Sequence, residues 1–265
     1  MSFQSLGLSD ALLKAVSKQG YSSPTPIQNK AIPLILDKRD LFGIAQTGTG
    51  KTAGFTLPLL QLLSQGPTLR HRPVRALVLT PTRELAAQVF ENVKEYSTFL
   101  DLKSAVIFGG VNQNSQVNQL RQGVDILVAT PGRLLDLNNQ GLLSLSKIEI
   151  LVLDEADEMI TILNEGLDEI IAELPKNRRT FLFSATMPGS IKQLIQNYLN
   201  KNSIQVSADM QTVGNQEIDH QYIVVDPIEK LNVLMHFLTS KEGERGIIFC
   251  KTKAAVNKLA KNLAI

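Results

Sequence analysis

The sequence of 265 residues predicts an α/β fold: a mostly parallel sheet sandwiched by helices, followed by an incomplete second α/β lobe. Three observations carry that expectation. Short apolar runs alternate with stretches of helical periodicity, the order that builds a parallel sheet covered on both faces. The runs are predominantly apolar, as strands buried on both faces require. Each run ends in small or polar residues, which gathers those endings at the carboxyl edge of the sheet, where ligands of open α/β sheets bind.

The elements follow in order. Strands are expected at 40–46 (DLFGIAQ), 74–81 (VRALVLTP), 104–110 (SAVIFGG), 125–131 (DILVATP), 149–157 (EILVLDEAD) and 180–188 (TFLFSATMP). A helix-compatible run begins at Lys51, and helical periodicity covers 83–100 and 157–174. Residues 1–207 therefore read as one lobe. Residues 208–219 lack apolar periodicity and read as a linker. Residues 220–265 offer a strand at 222–225, a helix from about Pro227, a strand at 246–250 and a helix from Lys253. Two βα units cannot complete a doubly wound sheet, and an exposed apolar strand edge invites association with another copy.

Composition bounds the partners. With 43% hydrophobic and 20% charged residues the chain has material for a packed core. A net charge of +2 permits nucleic-acid binding without arguing for it. Cys250 stands alone, which excludes an internal disulfide and fits a cytoplasmic setting. His71, His220 and His236 lack metal-ligand spacing. The amino terminus has no signal-peptide pattern, and no apolar run is long enough to span a bilayer.

The stretch AQTGTGKT (45–52) lies between a strand and a helix-compatible run, the context of a phosphate loop, although Ala45 stands where the general template has glycine. Gly48 and Gly50 would turn amides toward phosphates at a helix N-terminus, Lys51 would meet the β- and γ-phosphates, and Thr52 would ligate Mg²⁺. The plain alternative is a glycine-rich turn capped by threonine. Asp154 and Glu155 close an apolar strand. Asp154 would hold Mg²⁺ and Glu155 would polarise the attacking water, whereas acidic pairs elsewhere usually cap helices.

Asp154 to Asp157 spell DEAD, and the chain resembles the DEAD-box ATP-dependent RNA helicase family, whose ATP-binding lobe is a RecA-like P-loop NTPase domain. GYSSPTPIQ (20–28) resembles the family's Q motif. AQTGTGKT resembles its motif I, which regularly begins with alanine, so Ala45, Gln46, Thr47, Gly48, Thr49, Gly50, Lys51 and Thr52 are implied nucleotide ligands. PTRELA (81–86) resembles motif Ia, Gly109 and Gly110 the GG motif, TPGR (130–133) motif Ib, SAT (184–186) motif III and GIIFCKTK (246–253) motif IV.

The resemblance implies ATP and Mg²⁺ as ligands and RNA as partner. Gln28 carries a carboxamide able to pair with adenine. Phe3 and Tyr21 stand where an aromatic could pack near the base; a helix-stapling role is the alternative for Phe3, and Tyr21 has the same ambiguity. Pro81, Thr82, Arg83, Gly109, Gly110, Thr130, Pro131, Gly132 and Arg133 would form an RNA-facing edge that grips backbone rather than sequence. Taken singly, Arg83 is equally a surface salt-bridge residue. Ser184, Ala185 and Thr186 would couple the nucleotide site to RNA.

The match departs after DEAD, where the family's usual MLxMGF-like stretch is replaced by EMITILNEG (158–166). Stretches like motif V and motif VI do not occur in these 265 residues. The expectation for this stretch of chain is adenine-nucleotide binding with little turnover or unwinding by itself. A non-hydrolysing nucleic-acid clamp and a DNA-acting ATPase are the alternatives, and a protein partner that promotes closure is compatible with the sequence.

Overall fold

The structure, a computed structural model, describes residues 2–66, 71–162, 164–200, 202–208, 219, 221–241 and 243–263. Six strands fill the six apolar runs: β1 Leu41–Ile44, β2 Ala76–Leu79, β3 Ser104–Ile107, β4 Ile126–Ala129, β5 Ile150–Leu153 and β6 Arg179–Ser184. A seventh, β7 Ile204–Ser207, falls where no strand was expected. All seven join one sheet in the order β3-β4-β2-β5-β6-β1-β7, every pair parallel.

Alternation within each strand divides the core. Ala76, Val78, Ile150, Val152, Phe181 and Phe183 face one cluster, and Leu77, Leu79, Leu151, Leu153 and Leu182 face the other. The first cluster is closed by a 3₁₀ turn (Phe3–Leu6), α1 (Asp10–Lys18), α2 (Pro26–Leu36), α3 (Lys51–Ser64) and α4 (Arg83–Tyr96). The second is closed by α5 (Gln113–Arg121), α6 (Pro131–Asn139), α7 (Ala156–Ile162), α8 (Asn164–Glu173) and α9 (Gly189–Tyr198). Layers on both faces explain why the central strands β2, β4 and β5 are apolar at every position.

Register sets the functional edge. Leu79 pairs with Ala129 and Leu153, Ile107 with Ala129, and Ile44 with Ser184. The ends of β2, β3, β4 and β5 are therefore level, and β6 and β1 run two residues further because Leu153 pairs with Leu182. The loops emerge along one edge, as the pattern of the runs implies. The opposite, amino edge is tied by buried carboxylates. Asp125 accepts from Arg72, Arg75 and the Lys103 amide, and Asp40 accepts from the Thr180 amide and from both the amide and the carboxamide of Asn200.

The helical periodicity over 157–174 is met by α7 and α8, with Leu163 between them outside the described residues. One expectation is corrected. The predicted strands at 222–225 and 246–250 have no ladder partner among the described residues. Tyr222, Val224 and Phe249 are 89%, 88% and 91% exposed. β-propensity favours extended backbone, but only a hydrogen-bonded neighbour makes a strand. The two helices expected there are present as α10 Lys230–Ser240 and α11 Lys253–Leu263.

Residues Met1–Gln211 and Thr212–Ile265 form separate compact units. The expected linker, 208–219, lies mostly outside the described residues. No helix among the described residues is long and apolar enough to cross a membrane.

Candidate active site

The turn after β1 is built around two left-handed glycines, Gly48 (φ 85°) and Gly50 (φ 88°), and delivers the chain into the N-terminus of α3. Gly50 has a second constraint. A Cβ there would lie 2.4 Å from Gln28 Nε2, so this residue must lack a side chain for the Q-motif glutamine to approach. Gln28 Nε2 donates to the Gly50 carbonyl (3.1 Å), and Gln28 Oε1 accepts from the Thr25 amide (3.0 Å) at the start of α2. The carboxamide thus braces α2 against the loop, and one N–H and one lone pair stay uncommitted for a ligand.

Lys51 Nζ donates to Glu155 Oε1 at 2.8 Å, with both side chains buried, and Thr47 Oγ1 donates to the same oxygen at 3.1 Å. Glu155 holds a left-handed backbone (φ 51°) immediately before α7, and its amide donates to Asp154 Oδ1 at 3.1 Å. Non-glycine residues in this region cost about 1–2 kcal/mol. The strain turns two consecutive acids off β5 so that both line the cleft. Burial pushes the Asp154 carboxyl up to about 7, against the pull of Lys51 and with the push of Glu155.

These groups line a cleft of about 510 Å³ with Tyr21, Thr47, Gly48, Thr52 and the α4 residues Leu85, Gln88, Asn92 and Tyr96. Tyr21 is half exposed; its hydroxyl lies 3.0 Å from that of buried Tyr96 and its ring meets Tyr96 edge-on. Thr49 Oγ1 closes the loop onto the Gln46 carbonyl, and the Ala45 amide donates to the Ser184 carbonyl, continuing the β1–β6 ladder. Phe3 is packed in the α1–α4 core and is not part of the cleft wall.

Strand β6 carries the SAT residues between β5 and β1. Ser184 Oγ donates to the Thr186 carbonyl (2.7 Å), and Thr186 donates through its amide (3.0 Å) and hydroxyl (2.6 Å) to Asp157 Oδ2. Burial raises the Asp157 carboxyl, but its hydrogen bonds from Thr186 and Ser184 outweigh that and hold it below the ordinary range. Ala185 lies between these two bonded residues.

The remaining carboxyl-edge residues are brought together by a network absent from the sequence reading. Arg83 lays its guanidinium over Phe108 at 5.7 Å. A Cβ on Gly110 (φ 78°) would meet Arg83 Nη1 at 2.5 Å. Gln116 accepts from the Phe108 amide, donates to the Phe108 carbonyl and accepts from Arg133 Nη1, while Arg133 Nη2 donates to the Val111 carbonyl. Thr82 caps α4 through the Leu85 amide, and Thr130 and Pro131 open α6. Gly109 and Gly132 have open space beside them.

Residues 25–194 match the DEAD/DEAH box helicase family. The chain belongs to that family. It is 38% identical to the DEAD-box ATP-dependent RNA helicase CshA of Geobacillus kaustophilus, over 98% of this chain and 55% of that protein. It is 41% identical to the ATP-dependent RNA helicase DeaD of Escherichia coli, over 98% of this chain and 41% of that protein. It thus spans about half the length, or less, of these curated relatives. A solved DEAD box protein from the hyperthermophile Methanococcus jannaschii superposes with a TM-score of 0.73 at 37% identity, covering 100% of this chain and 70% of that one. The all-parallel helix-flanked sheet is thus the RecA-like fold of DEAD-box proteins.

Set on this DEAD-box fold, residues missed from the sequence become legible. Gln88, Asn92 and Tyr96 recur at i, i+4 and i+8, a polar stripe on one face of α4 that points into the cleft. Asp157 was visible as the last letter of DEAD. Gln116 and Phe108 carried no signal, because a carboxamide bracing a strand end looks like any surface glutamine. The EMITILNEG segment places Met159 in the core, while the side chains of 161–165 lie outside the described residues.

Proposed function

We propose that this chain binds ATP with Mg²⁺ between the phosphate loop and the DEAD acids, and grips RNA backbone along the adjoining carboxyl edge. The observation that carries the reading is the buried Lys51–Glu155 bond of 2.8 Å beside Asp154. A cation and two acids held this way form a site in which partners can be exchanged. Lys51 leaves Glu155 for phosphate oxygen, and Glu155, held by Thr47, is freed to orient the attacking water. The residues present fit a hydrated Mg²⁺: Asp154 is buried next to the mouth of α3, where Thr52 offers a hydroxyl. When bound, Mg²⁺ neutralises phosphate charge. Ser184, Thr186 and Asp157 link that site to the RNA edge through hydroxyl bonds.

On this reading residues 1–207 are the ATP-binding lobe, 208–219 a linker and 220–265 the start of a second lobe. Residues 1–265 by themselves hold nucleotide but turn it over slowly, for want of a motif VI arginine finger, a group that contributes about 10³–10⁵-fold in rate. The setting is cytoplasmic. A protein partner that promotes closure, or a second copy meeting residues 220–265, would act on the same cycle; sedimentation velocity over a concentration series tests the latter. Steady-state ATP hydrolysis, with and without single-stranded RNA, is the principal test. Slow turnover in both, lowered further by Glu155→Gln with nucleotide affinity retained, supports the reading. Many-fold RNA stimulation of the isolated 265 residues would refute the slow-turnover part.

Two further outcomes are expected. Asp154 must be ionised to hold a cation, so Mg·ATP affinity should rise about tenfold per pH unit below pH ~7 and level off above it. In the ligand-free protein the sign reverses. A carboxyl whose folded pKa is raised holds its proton where the unfolded chain has lost it, so stability falls as pH rises from about 4 to 7. Calorimetric titration over pH and urea unfolding over the same range check the pair. Gln116→Ala should weaken RNA binding about tenfold while leaving ATP affinity unchanged, because it unties Arg133 and Phe108 without touching the cleft. Equal RNA affinity would remove Gln116 from the edge.

A further inference from the structure

The amino edge of the sheet, opposite the nucleotide cleft, carries a cavity of about 620 Å³. Among the described residues its wall includes Lys38, Arg39, Arg178 and Arg179, with Asp40 and Glu149 as the only acids. Four cations against two carboxylates leave an excess of two positive charges. The three arginines are also held by main-chain carbonyls rather than by carboxylates. Arg39 Nη2 donates to the Asn202 carbonyl (3.2 Å), Arg178 Nη1 to the Pro175 carbonyl (2.9 Å) and Arg179 Nε to the Lys38 carbonyl (3.2 Å). None of the four forms an ion pair among the described residues. Asp40 is buried and saturated by Thr180 and Asn200. Arg178 Nε is buried without a hydrogen-bond partner among the described residues.

Lys38 adds a separate observation. It terminates α2 with φ 61°, its amide donating to the Ile35 carbonyl and the Arg39 amide to the Leu34 carbonyl. That is the helix-ending turn at which glycine is the favoured residue. A lysine there places a charge at the cavity rim against the backbone's own preference. Every described wall residue is charged or a carboxamide, so among the described residues there is no apolar subsite and no aromatic ring for a base. That wall suits alternating phosphate and ribose better than an acidic peptide, which brings aliphatic and backbone surface of its own.

We infer that this amino-edge cavity is a second phosphate-binding site that takes the sugar–phosphate backbone of a nucleic-acid strand, separate from the carboxyl-edge RNA site. Strands of four to six residues separate the two edges by roughly 13–20 Å, so one ligand does not exclude the other.

The test is anisotropy of a labelled oligouridylate with the 265-residue chain over a salt series, comparing wild type, Lys38→Gly/Arg39→Gln, Arg83→Ala and the combination. Glycine at 38 relieves the backbone, so the double variant should keep or raise the thermal midpoint. It is expected to bind RNA about tenfold more weakly, with a salt slope shallower by about 1.4, two contacts at about 0.7 each. The same loss should recur in the Arg83→Ala background. Unchanged affinity and slope in the double variant would overturn the amino-edge site while leaving the carboxyl-edge reading intact. Absence of RNA binding by wild type would overturn both. Displacement of the RNA by oligoglutamate as effectively as by unlabelled oligouridylate, in the Arg83→Ala background, would assign the cavity to an acidic peptide instead.

Discussion

Alanine at position 51 is expected to weaken Mg·ATP binding by roughly 10–100-fold, since a hydrogen bond to a charged group contributes about 1.5–3 kcal/mol. The same change should destabilise the ligand-free protein. Glu155 is 7% exposed and would lose its only ion-pair partner among the described residues, keeping Thr47 alone. Breaking a buried pair from one side costs about 3–5 kcal/mol, the lower end applying where another donor remains. Adding Glu155→Gln to Lys51→Ala should recover part of that stability, because the stranded charge is then removed. Urea unfolding of the single and double variants decides the matter. A double variant no more stable than Lys51→Ala would mean that the pair contributes little to the resting structure.

Asp125→Ala should be the most destabilising single change at the other edge, by about 3–5 kcal/mol. Asp125 Oδ2 accepts from Arg72 Nη1 (2.7 Å) and the Lys103 amide (2.9 Å), and Oδ1 from Arg75 Nη2 (2.9 Å). Alanine leaves Arg75, 6% exposed, without its ion-pair partner, keeping only the Leu63 carbonyl, and leaves the Lys103 amide unsatisfied. The pH response follows. Burial pushes the Asp125 carboxyl up, but the Lys103 amide and the two guanidinium groups outweigh it and hold it below the ordinary range. A depressed pKa gives stability that is present above the unfolded value and lost as pH falls through the folded one. The wild type should lose this contribution in acid, and Asp125→Asn should show a flatter acid limb. Parallel acid limbs would exclude Asp125 as the source.

The sheet was legible because its strands are buried on both faces, so that an uninterrupted apolar run ending in TP, GG or SAT fixed both the strand and the direction in which its loop emerged. β7 was not. Its Ile-Gln-Val-Ser lies at the sheet edge, with Gln205 exposed, and four residues carry too little pattern. The runs at 222–225 and 246–250 failed in the opposite sense, since the pattern of a strand is present there and its neighbour is not. In the candidate site, residues following a strand end could be read from order alone. Contacts made across elements could not. Gln28 meeting Gly50, Thr186 meeting Asp157 and Gln116 meeting Arg133 join positions 22, 29 and 17 residues apart, and such pairings exist only once the sheet has folded.

The strand order has a last consequence. The phosphate loop leaves β1 and the acids leave β5, yet β6 lies between them, so the two walls stand apart by two ladder spacings, about 9.6 Å. That gauge is set by main-chain hydrogen bonds and is indifferent to side-chain identity. Sequence drift in the walls can therefore alter affinity and preference for a ligand, while the width of the slot is inherited unchanged.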